Sequence, residues 1–79
     1  MEGASFSRIT LDPRILVGKP TIRGLRISVE QILKALANGV TVEDLLKDYP
    51  ELESADIQAA LAYAAELVAE EKAFAVETA

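Results

Sequence analysis

The spacing of apolar residues between Ser28 and Lys72 constrains the fold of this chain more than any other feature. They recur every three or four positions in three successive segments, which is the period of α-helices with one buried face. Only two short breaks, at Asn38-Gly39 and at Pro50, separate these segments. Helices joined by turns this short can bury their apolar stripes only against one another. The sequence therefore predicts a mainly α three-helix bundle, with helices two and three in a helix-turn-helix layout.

Capping residues mark the helix ends. Ser28 is a good N-cap, and Gln31, three residues later, completes a capping box. Thr41 is expected to cap the second helix, which ends before Pro50 because the residue before a proline resists helical geometry. Ser54 is expected to cap the third helix. The predicted helices span about residues 28–38, 41–49 and 54–72.

Residues 8–27 are expected to form a small β-region that packs on one end of the helices. Residues 8–11 alternate polar and apolar side chains, which is the period of a half-buried strand. Pro20 cannot lie inside a helix or a central strand, so it belongs to a loop. Two short extended pieces are expected after it, on either side of a glycine, with Ile22 and Ile27 pointing inward.

The composition limits the chemistry. The 79 residues suffice for one small domain, and they include no cysteine and no histidine. These absences exclude disulfides and thiolate metal sites and remove the commonest general base and metal ligand. The acids of the second helix, Glu43, Asp44 and Asp48, are explained by the helix dipole and by solubility. We therefore expect a protein that is not an enzyme and that holds neither a cofactor nor a metal.

The sequence shows no targeting signal and no membrane span. The N-terminus lacks a positively charged start followed by an apolar core, and no run of about 18 apolar residues occurs. A cytoplasmic location is the resulting expectation. The expected organisation is a flexible terminus at residues 1–7, a single domain at residues 8–72 and a frayed terminus at residues 73–79.

Charge is distributed unevenly along the chain. Up to Val29, five basic residues face two acidic ones, and after it three basic residues face eleven acidic ones. The net charge is therefore +3 before this point and −8 after it. Such asymmetry suggests a basic patch on an acidic body. The candidate residues for binding an acidic partner or phosphates are Arg8, Arg14, Lys19, Arg23 and Arg26.

Three of these five cations lie in residues 18–27, GKPTIRGLRI. This segment does not match a phosphate-binding loop, because its lysine precedes a proline and no helix starts there. Two interpretations of Lys19, Arg23 and Arg26 stay open. In one, the arginines cap or pair with Asp12 or with acids of the helices. In the other, the three cations form a surface that binds carboxylates or phosphates.

The helix-turn-helix layout raises the question of DNA binding. A recognition helix carries basic or amide side chains near its N-terminus, where they reach the DNA bases. In the third helix only Gln58 is a candidate for such a contact, and no basic residue of this helix precedes Lys72. Phosphates would be repelled by Asp56 and by the glutamates that follow it. DNA contacts are therefore expected to be weak and to come from the basic N-terminal region.

Small residues on the third helix suggest self-association. Ala59, Ala62 and Ala69 lie opposite the predicted buried stripe, and Phe74 lies beyond the expected core. High helix propensity alone would also explain the alanines. The small core and the apolar C-terminus favour a homodimer or a higher oligomer.

Several motifs, taken in order, resemble a known family. They are RITLDPRIL, then GKPTIRGLRISV, then ILKALANGVTVEDLLKDYPELESADIQAALAYAAE. In this order they are similar to the small bacterial family called domain of unknown function four-three-three, over about Ser7 to Glu66. This chain departs from the usual pattern at four positions. Thr21 stands where members often have cysteine, and Leu25 and Glu53 stand where threonine is usual. Gln58 replaces a frequent arginine.

The resemblance implies a homeodomain-like three-helix fold preceded by a small β-region. Members are commonly taken as antitoxins of two-gene toxin–antitoxin modules, with a PIN-like nuclease as the toxin, and with regulation of the promoter DNA as a further expectation. PIN-like nucleases gather acidic residues around a divalent metal, so we hypothesise that Lys19, Arg23 and Arg26 face that acidic site. Two alternatives stay open: a stand-alone helix-turn-helix DNA-binding regulator and a plain oligomerisation module.

Overall fold

The computed structural model describes residues 7–71, which contain two short strands, a 3₁₀ turn and three α-helices. The strands and helices are β1 (Ile9–Thr10), β2 (Thr21–Ile22), α1 (Val29–Ala37), α2 (Val42–Asp48) and α3 (Ser54–Glu71), and the 3₁₀ turn at Leu16–Gly18 lies between the two strands. The prediction of a mainly helical fold with a small N-terminal β-region is confirmed. The flexible and frayed termini that the sequence predicts lie outside the described residues, apart from Ser7.

The β-region is a two-stranded antiparallel sheet. Ile9 lies opposite Ile22, and Thr10 lies opposite Thr21. After β2 the chain turns back on itself, and the N–H of Ile22 donates to the carbonyl oxygen of Ile27 over 3.0 Å. Ile22 and Ile27 are 0% and 7% exposed, so the prediction that both point inward is confirmed.

The core lies where β2 and the three helices meet. Each helix places one apolar stripe in it, as the helical spacing predicts. The buried apolar residues of this cluster are Ile22, Ile27, Val29, Ile32, Leu45, Leu52, Ile57 and Ala60. Among the described residues, no helix is long and apolar enough to cross a membrane.

The apolar stripe of α3 is buried only over its first half. Helical spacing also places Leu67 and Val68 on this stripe, yet they are 45% and 61% exposed. The reason is length: α3 has 18 residues, whereas the helices that pack against it, α1 and α2, have nine and seven. At 1.5 Å per residue the shorter helices cover only part of α3. Its last turns therefore extend past the core.

Local hydrogen bonds confirm the predicted starts of α1 and α2. The Ser28 hydroxyl accepts from the Gln31 N–H at 2.9 Å, and the Gln31 side chain accepts from the Ser28 N–H at 3.1 Å, which completes the capping box. The Thr41 hydroxyl accepts from the Asp44 N–H at 3.1 Å. The prediction for α3 is wrong, because Ser54 is the first helical residue and its side chain caps nothing. The carboxylate of Asp56 instead accepts from the N–H of Glu53, the residue before the helix.

Removing the hydroxyl of Ser28 should destabilise the domain. Ser28→Ala leaves the N–H of Gln31 without its acceptor, so we expect the free energy of unfolding to fall by about 1 kcal/mol. Urea denaturation followed by circular dichroism measures this loss. Ser54→Ala is the matched control and should leave the midpoint nearly unchanged, because that hydroxyl makes no cap. Equal losses for the two variants would contradict this assignment of the caps.

Candidate functional site

A buried carboxylate, that of Asp56, joins the β-region to the helices. This residue lies in the first turn of α3 and has no exposed surface. Its Oδ1 accepts from Arg8 Nη1 at 2.8 Å and from Arg23 Nε at 3.0 Å, and its Oδ2 accepts from Arg23 Nη2 at 2.8 Å. The backbone N–H of Glu53 donates to Oδ2 at 2.9 Å. The two arginines and Asp56 form what we call the Asp56 cluster.

The sheet register explains why two arginines meet one carboxylate. Because Ile9 pairs with Ile22 in an antiparallel ladder, the residue before the first, Arg8, lies opposite the residue after the second, Arg23. The N–H of Arg23 donates to the carbonyl oxygen of Arg8 at 2.8 Å, which extends this register by one residue. Residues directly opposite each other in a ladder place their side chains close together. Both guanidinium groups therefore reach the start of α3.

Asp56 also serves the start of α3 itself. The first N–H groups of a helix have no partner within the helix, and its N-terminal end carries a partial positive charge. The Asp56 carboxylate reaches back to the Glu53 N–H, as the acidic member of a capping box does. One side chain thus caps the helix and binds two arginines.

The main chain at Arg23 is held in an unfavourable conformation. Arg23 and Gly24 are the central residues of a tight turn, which is closed by a hydrogen bond from the N–H of Leu25 to the carbonyl oxygen of Ile22 (2.7 Å). Their φ values are +48° and +76°, so both residues are left-handed. A left-handed conformation costs a non-glycine residue about 1–2 kcal/mol. The Arg23 side chain offsets this cost through Asp56 and through a 2.7 Å bond from Nη2 to the Glu51 carbonyl oxygen. The cluster therefore fixes the turn that leads to Arg26.

The ionisation of Asp56 follows from its contacts. Burial acts to raise the pKa of this carboxyl, but the hydrogen bonds from Arg23, from Arg8 and from the Glu53 N–H outweigh it and lower the pKa to about 2. The carboxylate is therefore ionised at neutral pH and balances part of the charge of the two arginines. No side chain of the cluster is left to act as a general acid or base near neutral pH.

The other predicted cations are mostly paired within the chain as well. Arg14 binds Asp12 through Nη2 at 2.9 Å, and Lys19 Nζ lies 2.7 Å from a carboxylate oxygen of Glu30. Arg26 differs from these. It is exposed and makes no ion pair with any described residue. The predicted basic patch is thus divided between cations that have partners in the fold and one that has none.

The remaining candidate residues lie on α3 or beyond it. Gln58 is exposed, as expected of a side chain that could face DNA. Ala62 and Ala69 are exposed, but Ala59 is only 8% exposed, so its place on the predicted self-association face is wrong. It follows Asp56 by three residues and therefore lies on the same, inward face of the helix. Phe74 lies outside the described residues.

One of the two interpretations of the arginines, that they pair with acids of the helices, is confirmed for Arg23 by its bonds to Asp56. The sequence did not single out Asp56 among those acids. The signal that could have found it was a pair of arginines, Arg8 and Arg23, each next to a strand-like segment. Using that signal required the strand register, which the short alternation does not fix. Among the described residues, no three His, Cys, Asp or Glu side chains are grouped so that they could hold a metal ion.

Comparison of the sequence with known proteins finds a matching family. The family model described as protein of unknown function (DUF433) matches residues 9–64, a range that includes Arg23, Arg26 and Asp56. An uncharacterized protein of Sinorhizobium fredii, y4eO, is 38% identical over 56 residues, which is 71% of this chain. The chain spans 25% of the length of that relative. No solved structure matches the chain.

Removing the charge of Asp56 should destabilise the fold strongly. Asp56→Asn leaves two arginines without their carboxylate, and we expect the free energy of unfolding to fall by about 2 kcal/mol, since both guanidinium groups can still reach water. Asp44→Asn is the matched control, because it removes an exposed first-turn acid of α2 and should cost little. Urea denaturation measures both variants, and equal costs would refute the structural role of the Asp56 cluster.

The same carboxylate should make stability depend on acid pH. Its pKa falls from 3.8 to about 2 on folding, so its contribution is present above pH 4 and is lost as the pH drops towards 2. The melting temperature of the native sequence should therefore approach that of Asp56→Asn between pH 4 and pH 2. Thermal unfolding at half-unit pH steps measures this convergence. A gap between the two curves that stays constant over this range would contradict it.

Proposed function

The chain belongs to the protein family of unknown function DUF433, and we propose that it is a non-enzymatic antitoxin of a two-gene toxin–antitoxin module. Its partner in this proposal is a PIN-like nuclease whose acidic, metal-binding site it covers. The observation that carries the proposal is that Arg26, next to a tight turn, is exposed and makes no ion pair with any described residue. A carboxylate-rich partner surface is the binding site that such a group fits best.

The turn before Arg26 favours binding because it is already ordered. Arg23 and Gly24 hold their left-handed conformations through backbone bonds and through the Asp56 cluster. A rigid loop loses little conformational freedom when it binds, so more of the contact energy becomes affinity. Ile27, immediately after Arg26, is buried in the core and anchors the other side of the loop. The cation is therefore presented from a fixed backbone.

The proposed contact set is narrower than the sequence alone indicated. Arg23 acts as a positioning residue, because its guanidinium binds Asp56 and the Glu51 carbonyl. Lys19 can contribute only by exchanging its partner Glu30 for a carboxylate of the toxin, and both side chains are about half exposed. Arg26 needs no such exchange. The proposal therefore assigns the main charged contact to Arg26.

The two alternatives have less support. For direct DNA readout, α3 offers Gln58 and no basic residue within its described length, and its first-turn acid is enclosed by arginines. Basic residues that could contact phosphates are mostly neutralised by acids of the same chain. A role in promoter regulation would then require the complex with the toxin. For a plain oligomerisation module, Ala62 and Ala69 are exposed on α3, but the loop at Arg26 would have no use.

Charge reversal at Arg26 tests the proposal without disturbing the fold. The chain is co-expressed with the tagged product of its neighbouring gene, and the complex is purified through that tag. We expect the native sequence to co-purify and Arg26→Glu to be lost or reduced about tenfold or more, because an attractive contact becomes a repulsive one. Circular dichroism should show an unchanged fold, since Arg26 has no partner within the described chain.

Lys47→Glu is the matched control for this experiment. Lys47 on α2 is exposed and also lacks an ion pair among residues 7–71, so its reversal changes the net charge equally. We expect it to co-purify like the native sequence. Absence of a complex with the native chain would overturn the antitoxin proposal. Equal weakening by both reversals would show that net charge matters rather than the loop at Arg26.

A further inference from the structure

The fold leaves an apolar groove open between α1 and the second half of α3. Its volume is about 250 Å³, and it is lined by residues of these two helices and by Pro20. We propose that this groove binds an amphipathic helix of a partner protein, and that basic residues lie beside the apolar face of that helix. The proposal concerns a second surface, and it does not require that the partner be a nuclease.

The groove is formed where α3 passes the first half of α1, and no residue of α2 lines it. Its apolar lining includes Val29 and Leu33 of α1 and Ala64 and Leu67 of α3. The carbonyl oxygen of Pro20 accepts from the Val29 N–H at 2.9 Å, which attaches the proline to the start of α1. Two helices that pack side by side can receive a further helix in the groove between them.

The lining is unsuited to a small molecule. Pockets for such ligands measure about 300–1,000 Å³ and carry a few polar groups that orient the ligand. This groove is smaller, and its charged side chains, Glu30 and Lys34, pair with each other at 3.1 Å. It therefore offers mainly apolar contact, which suits the side chains that an amphipathic helix presents at every third or fourth position.

Exposed apolar side chains extend the groove along α3. Leu67, which lines it, is 45% exposed, and Val68 is 61% exposed. Val68 follows Ala64 of the groove by four residues, so the two are neighbours on the helix surface. Covering these side chains removes apolar surface from water, which favours binding.

Unpaired acids border the groove on α3. Glu66 and Glu70 are exposed and make no ion pair with any residue in the described part of the chain. They follow Tyr63 and Leu67 of the groove by three residues each, which makes them neighbours of its lining. No basic residue lies within Ser54–Glu71 to neutralise them. A partner helix therefore fits best when lysines or arginines flank its apolar face.

The same acids disfavour other macromolecules in this groove. An α3 helix of a second copy would place its own Glu66 and Glu70 beside those already there, and like charges in contact repel each other. The phosphates of a nucleic acid would be repelled as well. A basic helix is the occupant that satisfies both the apolar lining and its acidic border.

A model peptide tests this chemistry on the full chain. The probe is a peptide of leucine and lysine with about 18 residues, or about five helical turns, whose leucines follow helical spacing. Calorimetric titration should show that the native chain binds it, and that Leu67→Gln raises the dissociation constant about tenfold. Leu61→Gln is the matched control, because Leu61 is 42% exposed on the same helix and does not line the groove. It should leave the dissociation constant unchanged.

A second pair of variants tests the charge. Glu66→Lys combined with Glu70→Lys should weaken binding of the peptide about tenfold or more, because attraction becomes repulsion. Asp48→Lys combined with Glu51→Lys changes the net charge equally, at exposed acids outside the groove, and should have little effect. A peptide with glutamate in place of lysine should not bind the native chain.

Three results would overturn the proposal. They are absence of binding by the native chain, binding of the glutamate peptide as tightly as the lysine peptide, and equal weakening by a groove variant and its control. Sedimentation of the isolated chain provides a further check. If the native chain is a dimer that Leu67→Gln dissociates, a second copy fills the groove and the proposal is wrong. None of these results bears on the contact proposed for Arg26.

Discussion

The ion pairs of Asp56 are the interaction on which the rest of the structure depends. The β-region has only two residues in each strand, too few to be stable alone, and it needs a second connection to the helices. Arg8 and Arg23 provide that connection from opposite strands, and the carboxylate that receives them also caps α3. Sheet register, the left-handed turn and the start of a helix are therefore coupled through one buried group.

This coupling divides the cations of the N-terminal region by role. A cation bound to a buried carboxylate is held in place and cannot leave it for a partner without leaving the carboxylate uncompensated. A cation in an exposed pair with Asp12 or Glu30 contributes little to stability and can be exchanged more easily. Arg26 belongs to neither group. The net charge of the N-terminal region thus overstates the positive charge that is available for binding. The ion pairs show that, of the five cations, the available one is Arg26.

Local signals in the sequence predicted the fold well, and long-range ones did not. The capping box of Ser28 and Gln31 is encoded within four residues, so it could be predicted and is confirmed. In the Asp56 cluster, Arg23 and Arg8 precede Asp56 by 33 and 48 positions in the sequence, and only the folded chain brings them together. The left-handed backbone of Leu16 and Val17, with φ values of +50° and +56°, was equally hidden, because an apolar run such as Ile15-Leu16-Val17 is also typical of a short strand. Functional roles of cations therefore could not be assigned from charge alone.

Arg8 and Arg23 hold the loop in place, and Arg26 is the cation of this loop that is left to bind a partner. Nitrogen-15 spectra of the arginine Nε–H groups test this division of roles, recorded with and without the proposed PIN-like partner. We expect the Arg26 signal to shift on binding and the Arg23 signal, whose Nε lies 3.0 Å from Asp56 Oδ1, to stay in place. A shift of the Arg23 signal with no change at Arg26 would show that this division is wrong.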